Sequence, residues 1–349
     1  MNHENQANLI EKIAYVEMYV GNIFQAKNFF ATAMKLEHVA TTKTEETITC
    51  LMKQEDVNIL LTSSLNKDSV VAKHLAEYGD SVKKIAFWVN DVERCVNNTV
   101  NKGAKIVDEP QNRDGVLTAS IEVFNYVEHV FLELDSNKKI PGFDYDTSRI
   151  SNQPIVFNID HIALCHPRNT IKNWVEFYQE CFGFTENKNE DIYAEESGMH
   201  IIIMQSPNGR VNLPLVEPSS EHSRLNGYLN YNHGSGIHHI AFETNDIIQA
   251  VQHYERNHGE LRKALPKYFE DVKSIYPDQI ENIEKLAPHG IMLEQDDKGI
   301  LFQIFTKPIV TRPTLFLEFI QRDVCEGFGT VNIKALYDTL EIEKMSNAS

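Results

Sequence analysis

Apolar residues along the chain switch between two periods, and the order of the switches repeats. Ile10-Glu11-Lys12-Ile13-Ala14 reads as the start of a strand and precedes an amphipathic helical stretch over residues 24–34. Ile159-Asp160-His161-Ile162-Ala163 has the same pattern and precedes a second such stretch over residues 171–182. Spacing of three or four marks the helices, and alternation marks the strands. Further on, Lys83-Lys84-Ile85-Ala86-Phe87 with Asn90-Asp91-Val92 matches His238-His239-Ile240-Ala241-Phe242 with Asn245-Asp246-Ile247. Phe131-Leu132-Glu133 closes the first copy and Phe316-Leu317-Glu318 the second, each within an alternating run. The chain is therefore expected to be an internal duplication. The expected fold is α+β, with βαβββ modules occurring twice in each half and forming cupped mixed β-sheets with outer helices. The Ser/Asn/Pro-rich stretch 135–154 separates the copies. That places an N-terminal domain at 1–140, a linker at 141–154 and a C-terminal domain at 155–349.

The matched positions differ in chemistry. In the second copy they are His161, His239 and Glu318, and in the first Lys12, Lys84 and Glu133. Two imidazoles and a carboxylate can hold a divalent metal on one face and leave adjacent positions open. A charged lysine has no lone pair to offer. One copy is thus expected to bind metal and the other to serve packing. The ligand set also suits Zn, Mn, Co or Ni, whereas open positions combined with redox chemistry favour Fe(II).

Composition narrows the partners. The chain has 349 residues, 42% hydrophobic, and a formal net charge of −17, so nucleic acid and anionic membrane are excluded as expected partners. No apolar run approaches the ~18 residues of a membrane span. The polar start lacks the basic and apolar segments of a secretory signal, so a cytoplasmic location is expected. Cys50, Cys95, Cys165, Cys181 and Cys325 are odd in number, scattered and without a CxxC pair. They are expected to be reduced packing residues.

Four segments carry a resemblance to a known family. They are Gly236-Ile237-His238-His239-Ile240-Ala241; Leu301-Phe302-Gln303-Ile304-Phe305-Thr306-Lys307-Pro308; Arg312-Pro313-Thr314-Leu315-Phe316-Leu317-Glu318-Phe319-Ile320-Gln321-Arg322; and Gly327-Phe328-Gly329-Thr330-Val331-Asn332. With them, the second half resembles the 4-hydroxyphenylpyruvate dioxygenases and the related hydroxymandelate synthases. The resemblance implies a vicinal oxygen chelate type of fold, with Fe(II) held by His161, His239 and Glu318. It implies that a 2-oxo acid chelates the iron, loses CO2 and is hydroxylated by O2, and that the protein forms dimers or tetramers. Gln303 and Asn332 would serve the reaction, Phe305 and Phe316 would wall the pocket, and a helix over residues 332–343, bearing Leu336 and Tyr337, would act as a lid hinged at Gly327 to Gly329.

The chain departs from the family in its pocket. Ile201 stands where the family has a serine, Val216 an asparagine, Arg224 and His238 each a glutamine, and Ile333 the second aromatic wall. Loss of several hydrogen-bonding groups moves specificity, so a less polar substrate than 4-hydroxyphenylpyruvate is expected. Arg224 would instead favour a distal anion if it faced the pocket. His238 could orient a ligand, act as acid or base, or bind metal, although alternation along a strand points it away from the face used by His239. Two other functions fit a His, His, Glu site in such a fold: extradiol cleavage of a catechol, and sequestration of a small ligand without turnover.

Overall fold

The computed structural model describes residues 9–134, 139–146, 150, 153–194, 197–329 and 332–336. The first half contains β1 (Ile10–Tyr19), α1 (Ile23–Thr32), β2 (Glu37–Lys43), β3 (Thr47–Gln54), β4 (Val57–Ser64), α2 (Val70–Tyr78), β5 (Ser81–Val89), α3 (Val92–Val100), β6 (Lys105–Arg113), β7 (Val116–Phe124) and β8 (Val127–Glu133). The second contains β9 (Asn158–Cys165), α4 (Ile171–Phe182), β10 (Thr185–Ala194), β11 (Ser197–Gln205), β12 (Asn212–Pro218), α5 (Leu225–Tyr231), β13 (Gly236–Glu243), α6 (Ile247–Arg256), β14 (Leu261–Arg262), α7 (Pro266–Ile275), α8 (Ile280–Leu286), β15 (Met292–Gln295), β16 (Ile300–Thr306) and β17 (Phe316–Asp323). None of these helices is long and apolar enough to cross a membrane.

The strands form two curled mixed sheets of like topology. The first runs β2-β3-β4-β1-β5-β8-β7-β6; the second runs β10-β11-β12-β9-β13-β17-β16-β14, with β15 paired to β16. In each module the first and last strands are parallel, and the two modules of a half join through an antiparallel pair of first strands. Parallel neighbours need a crossover, which the helix after each first strand begins. Three of these helices start at an Asn or Asp whose side chain accepts backbone N–H groups of the first turn: Asn22, Asp91 and Asp246. The fourth, α4, ends instead at Gly183, whose φ of 73° suits a residue without Cβ.

The helices lie outside the cups yet inside the molecule, because those of one half pack on those of the other. Phe131 meets Phe182 at 5.7 Å between ring centroids and Phe29 meets Tyr254 at 6.3 Å. His129 Nε2 lies 2.8 Å from the Tyr178 hydroxyl across the same boundary. One apolar core therefore spans both halves. The five cysteines are buried and unpaired with one another.

The ladders revise the pairing of the two copies. Ala241 opposes both His161 and Glu318, whereas Ala86, two residues past Lys84 as Ala241 is past His239, opposes Tyr15 and Val130. The first-half counterparts are thus Tyr15, Lys84 and Val130, not Lys12, Lys84 and Glu133. Bulges at Ile10/Lys12 and Ile13/Tyr15 shift β1 relative to the short apolar match. Lys12 instead pairs with Asp56 at 2.8 Å, and Lys84 with Glu17 at 3.0 Å. The first cup has no ligand set at these positions and is filled with side chains. Part of the stretch read as linker does the filling: Ile140 and Tyr145 are buried against Tyr15, Trp88 and Val130.

Buried histidines make stability depend on acid. Burial pushes His129 and His166 down to about 3, and burial with Lys83 nearby pushes His74 down to about 4. All three are neutral in the folded state, while the unfolded chain protonates them near 6.5. Their stabilisation is complete above that value and is lost as pH falls toward the folded values. Each contributes a slope of about 1.4 kcal/mol per pH unit. Melting temperature should therefore fall steeply from pH 6.5 to pH 4.5. A His129→Gln variant, which keeps a polar partner for Tyr178, should show a shallower fall; an unchanged slope would remove His129 from the explanation.

Candidate metal centre

His161, His239 and Glu318 stand on β9, β13 and β17, three neighbouring strands. Ala241, on the central strand, opposes both His161 and Glu318, so a methyl group stands at the register position they share. His161 Nε2 lies 3.2 Å from His239 Nε2 and 3.3 Å from Glu318 Oε2, and His239 Nε2 lies 3.5 Å from the same oxygen. Metal bonds of about 2.1 Å meeting at right angles give ligand edges of roughly 3 Å. Among the described residues, these three form the group of His, Cys, Asp or Glu side chains close enough to share an ion.

The surrounding hydrogen bonds fix which nitrogens are available. His161 Nδ1 is 2.7 Å from Asp160 Oδ1, so its N–H is used there and the Nε2 lone pair faces the site. His239 Nδ1 is 3.2 Å from His238 Nδ1. Burial, reinforced by Arg262, pushes His238 down to about 3. A neutral His238 accepts from His239 and leaves its Nε2 lone pair for a metal. Burial opposes a proton on His161, but Glu318 and Asp160 outweigh it and lift His161 to about 9. A divalent cation can replace that proton. Two imidazole lone pairs and a carboxylate converging in a buried pocket fit Fe(II) or another borderline divalent ion.

His238 corrects an expectation. Alternation predicts that it faces away from His239, yet both rings line the same cavity. The cause is a bulge between Ile237 and His239, which breaks the alternation. With Nδ1 engaged by His239, His238 sits as the orienting partner of a ligand, while Phe316 stacks on His239 at 4.9 Å.

The sequence reasoning missed Asp160 and Arg322. Arg322 grips Asp160 with two bonds, Nε to Oδ2 at 2.6 Å and Nη2 to Oδ1 at 2.9 Å. Burial works against the Asp160 carboxylate, but the Arg322 guanidinium and His161 hold its pKa well below the usual range. Arg322 also donates to the carbonyls of Cys325 and Gly327 and covers the Phe328 ring at 4.8 Å. It ties the orientation of His161 to the segment that closes the pocket. An acid directly before a ligand histidine was the available signal. Partners of this kind are worth about 10- to 100-fold in metal affinity. Arg322→Lys and Asp160→Asn should each weaken Fe(II) binding to the metal-free protein by that amount in a titration. Unchanged affinity in both would reduce the pair to packing.

The cavity beside the three ligands is about 40 Å³. Ile201, Val216, Phe305, Phe316, Ile333 and Leu336 line it, and so do Met199, Pro214 and Phe328, which the sequence did not announce. Ile201 and Val216 face each other across the β11–β12 ladder. Gln303 also lines it, and its Oε1 accepts from Asn332 Nδ2 at 3.2 Å, which leaves the Gln303 NH2 as its remaining group. Asn332 lies behind, with its Oδ1 2.5 Å from the Tyr268 hydroxyl of α7, a further residue the sequence did not reveal. Gly329, at φ 72°, is required here because a Cβ would overlap the Gln303 amide. Arg224 is not in this cavity and lines an adjoining one. Tyr337 lies outside the described residues. A wider cleft of about 750 Å³, lined by both charged and apolar residues, meets the metal cavity's wall at Phe328.

Comparison with known proteins agrees with this architecture. Residues 158–304 match the model of the Glyoxalase/Bleomycin resistance protein/Dioxygenase superfamily. The chain is 30% identical to 4-hydroxyphenylpyruvate dioxygenase of Coccidioides posadasii, over 95% of this chain and 92% of that one. It is 31% identical to 4-hydroxyphenylpyruvate dioxygenase of Yarrowia lipolytica, over 95% and 91%. Its structure is similar to that of a 4-hydroxymandelate synthase variant from Streptomyces coelicolor, with TM-score 0.87, 27% identity, and coverage of 96% and 99%. Fold and site together define a dioxygenase of the non-haem iron class. Within that class, the chain belongs to the 4-hydroxyphenylpyruvate dioxygenase family.

Proposed function

We propose that the protein is an Fe(II)-dependent dioxygenase that decarboxylates a 2-oxo acid and hydroxylates the remainder with O2, and that this acid is less polar beside the metal than 4-hydroxyphenylpyruvate. The observation that carries the substrate reading is the Ile201–Val216 ladder pair on the cavity wall, where two side chains without hydrogen-bonding groups stand together. Ile333 extends the same wall. Iron held there supplies the capacity to bind the oxo-acid head and activate O2.

The protein's own groups do the positioning. Asp160 and His238 hold the two imidazoles so that Nε2 of each faces the metal. The Gln303 NH2, aligned by Asn332 and Tyr268, donates to the oxo-acid head. Phe305, Phe316 and Phe328 keep bulk water from the reacting atoms. A cavity of about 40 Å³ admits little more than a water molecule. Entry of an oxo acid therefore requires Phe328 and the helical residues 332–336 to withdraw, with Gly327 and Gly329 as the hinge. The first-half cup, filled by its own chain, is scaffold.

The test loads the full chain with Fe(II) without oxygen, adds one 2-oxo acid at a time, and measures O2 uptake and CO2 release. Phenylpyruvate and branched-chain oxo acids should exceed 4-hydroxyphenylpyruvate in kcat/KM by about tenfold or more, a preference of the size one or two lost contacts give. A strong preference for 4-hydroxyphenylpyruvate sinks the pocket argument. A coloured ring-cleavage product from a catechol without CO2 release points to extradiol chemistry, and ligand retention without O2 consumption points to a binding protein.

A further inference from the structure

Asp296 lies in the turn between β15 and β16, outside the metal centre, yet each of its carboxylate oxygens accepts more than one bond. Oδ1 accepts the backbone N–H groups of Lys298 at 2.9 Å and Gly299 at 2.8 Å, and so closes its own turn. Oδ2 accepts the N–H groups of Glu326 at 2.9 Å and Gly327 at 3.0 Å and the Cys325 thiol at 3.2 Å, all from the segment that follows β17. Partial burial raises the Asp296 pKa, but these donors outweigh it and hold the carboxyl well below the usual carboxylate range. Bonds to an ionised acceptor are about twice as strong as neutral ones. The nearby Lys298–Glu326 ion pair is exposed at both ends and adds little.

The segment that Asp296 holds is strained where it begins. Val324 has a φ of 62°, an outlier for a β-branched residue. Its side chain is 72% exposed, so packing does not impose that conformation. The neighbouring backbone does: a Cβ at Gly299 would overlap the Asp323 carbonyl oxygen, and Ile300 forms a bridge with Val324. Such strain persists only where the surroundings over-determine it. Beyond it comes the wall of the metal cavity, since Phe328 lines that cavity and lies 5.7 Å from the His161 ring. Between the two, the N–H of Gly327 is held by Asp296 and its carbonyl by Arg322. Arg322 also grips Asp160 and so belongs to the support of the metal ligands. Asp296 does not, and its bonds can be altered without touching that support.

We infer that Asp296 is a positioning residue that holds residues 325–329 closed over the metal cavity against strain at Val324. The inference rests on the reading of Phe328 and residues 332–336 as the part that withdraws for substrate entry, and it adds the group that sets how often they do. If the closed form dominates both with and without substrate, weakening the Asp296 bonds speeds entry and exit by the same factor. Affinity then stays nearly constant, because both closed states lose the same stabilisation.

The test uses the full chain with Fe(II), without oxygen, and reads the Ile333 amide, which bonds the Gly329 carbonyl at 2.8 Å and has no contact with Asp296. In Asp296→Asn, hydrogen exchange at that amide should accelerate by about 10- to 100-fold, the range for losing a bond to a charged group. Stopped-flow mixing with phenylpyruvate should show association and dissociation faster by a like factor, with their ratio little changed. Fe(II) affinity should equal that of the wild type, which separates this role from that of Asp160 and Arg322. Val324→Gly removes the strain and should act in the opposite sense, slowing Ile333 exchange and phenylpyruvate association by about threefold or more. Faster exchange confined to Glu326 and Gly327 overturns the inference, as does a change in dissociation alone, which would mark a lost binding contact. Should Asp296→Asn fail to fold, Val324→Gly decides, and unchanged exchange there overturns it. Failure of phenylpyruvate and every other 2-oxo acid to bind defeats the proposed function instead, and the exchange measurements then judge Asp296 by themselves.

Discussion

Substituting Glu318 by alanine is expected to abolish metal-dependent oxygen uptake, with Fe(II) affinity lower by more than the roughly 100-fold that loss of a supporting partner costs. The same outcome is expected for His161→Ala and His239→Ala. Glu318 is the acidic member of the three, and its Oε2 lies within 3.5 Å of both imidazole Nε2 atoms. Removing it leaves two neutral ligands, weaker attraction for a cation, and a buried void. Folding should survive in each variant, because the shared core lies on the other face of the sheets, and thermal melting checks this. The converse control is Lys84→His in the first half. It should create no second site, since Tyr15 and Val130 stand at the positions equivalent to His161 and Glu318 and supply no second imidazole, although Glu17, the partner of Lys84, would lie beside the new histidine. Metal content equal to wild type in the Glu318→Ala protein would end the case for this centre.

Phe182→Ala is expected to destabilise the protein by about 3–5 kcal/mol, the range for removing a buried aromatic ring. Phe182 is 1% exposed, ends α4, and meets Phe131 of the first half as well as Phe177 and Phe184 of its own. It belongs to the one core that both sheets share. The loss should therefore appear as a single earlier transition in urea, read identically by fluorescence and circular dichroism. Two separated transitions would show that the halves unfold independently and that the contact between them contributes little. Metal affinity, measured below the transition, should be unchanged.

Much of this was legible before any coordinates. The switch from period two to period three or four located both copies, and the two matched positions that differ, His161 against Lys12 and His239 against Lys84, together with Glu318 at the third, singled out the ligand set. Motifs around Gln303 and Gly327-Phe328-Gly329 brought the pocket wall within reach. Legibility stopped at register. The match of Phe131-Leu132-Glu133 with Phe316-Leu317-Glu318 looks sound as text, but apolar strands resemble one another under small shifts, and only the ladder shows that Val130 stands opposite Ala86 as Glu318 stands opposite Ala241. The orientation of His238 failed for a related reason, since a bulge is a backbone feature with no marker in the residues around it.

The amino-acid sequence by itself determined the kind of chemistry on offer, because ligand atoms and their absence are properties of side chains: two imidazoles and a carboxylate at the matched positions of one copy, lysines in place of the imidazoles in the other. It likewise determined the alternation that makes two curled sheets, because burial of apolar faces depends on local spacing. Tertiary structure alone decided what meets what. Asp160 is placed between His161 and Arg322, Tyr268 reaches Asn332 from an insertion, and Ile140 and Tyr145 fill the cup that binds nothing. These are contacts between residues far apart in the chain, and their distances depend on how strands register and layers close, which no local pattern encodes.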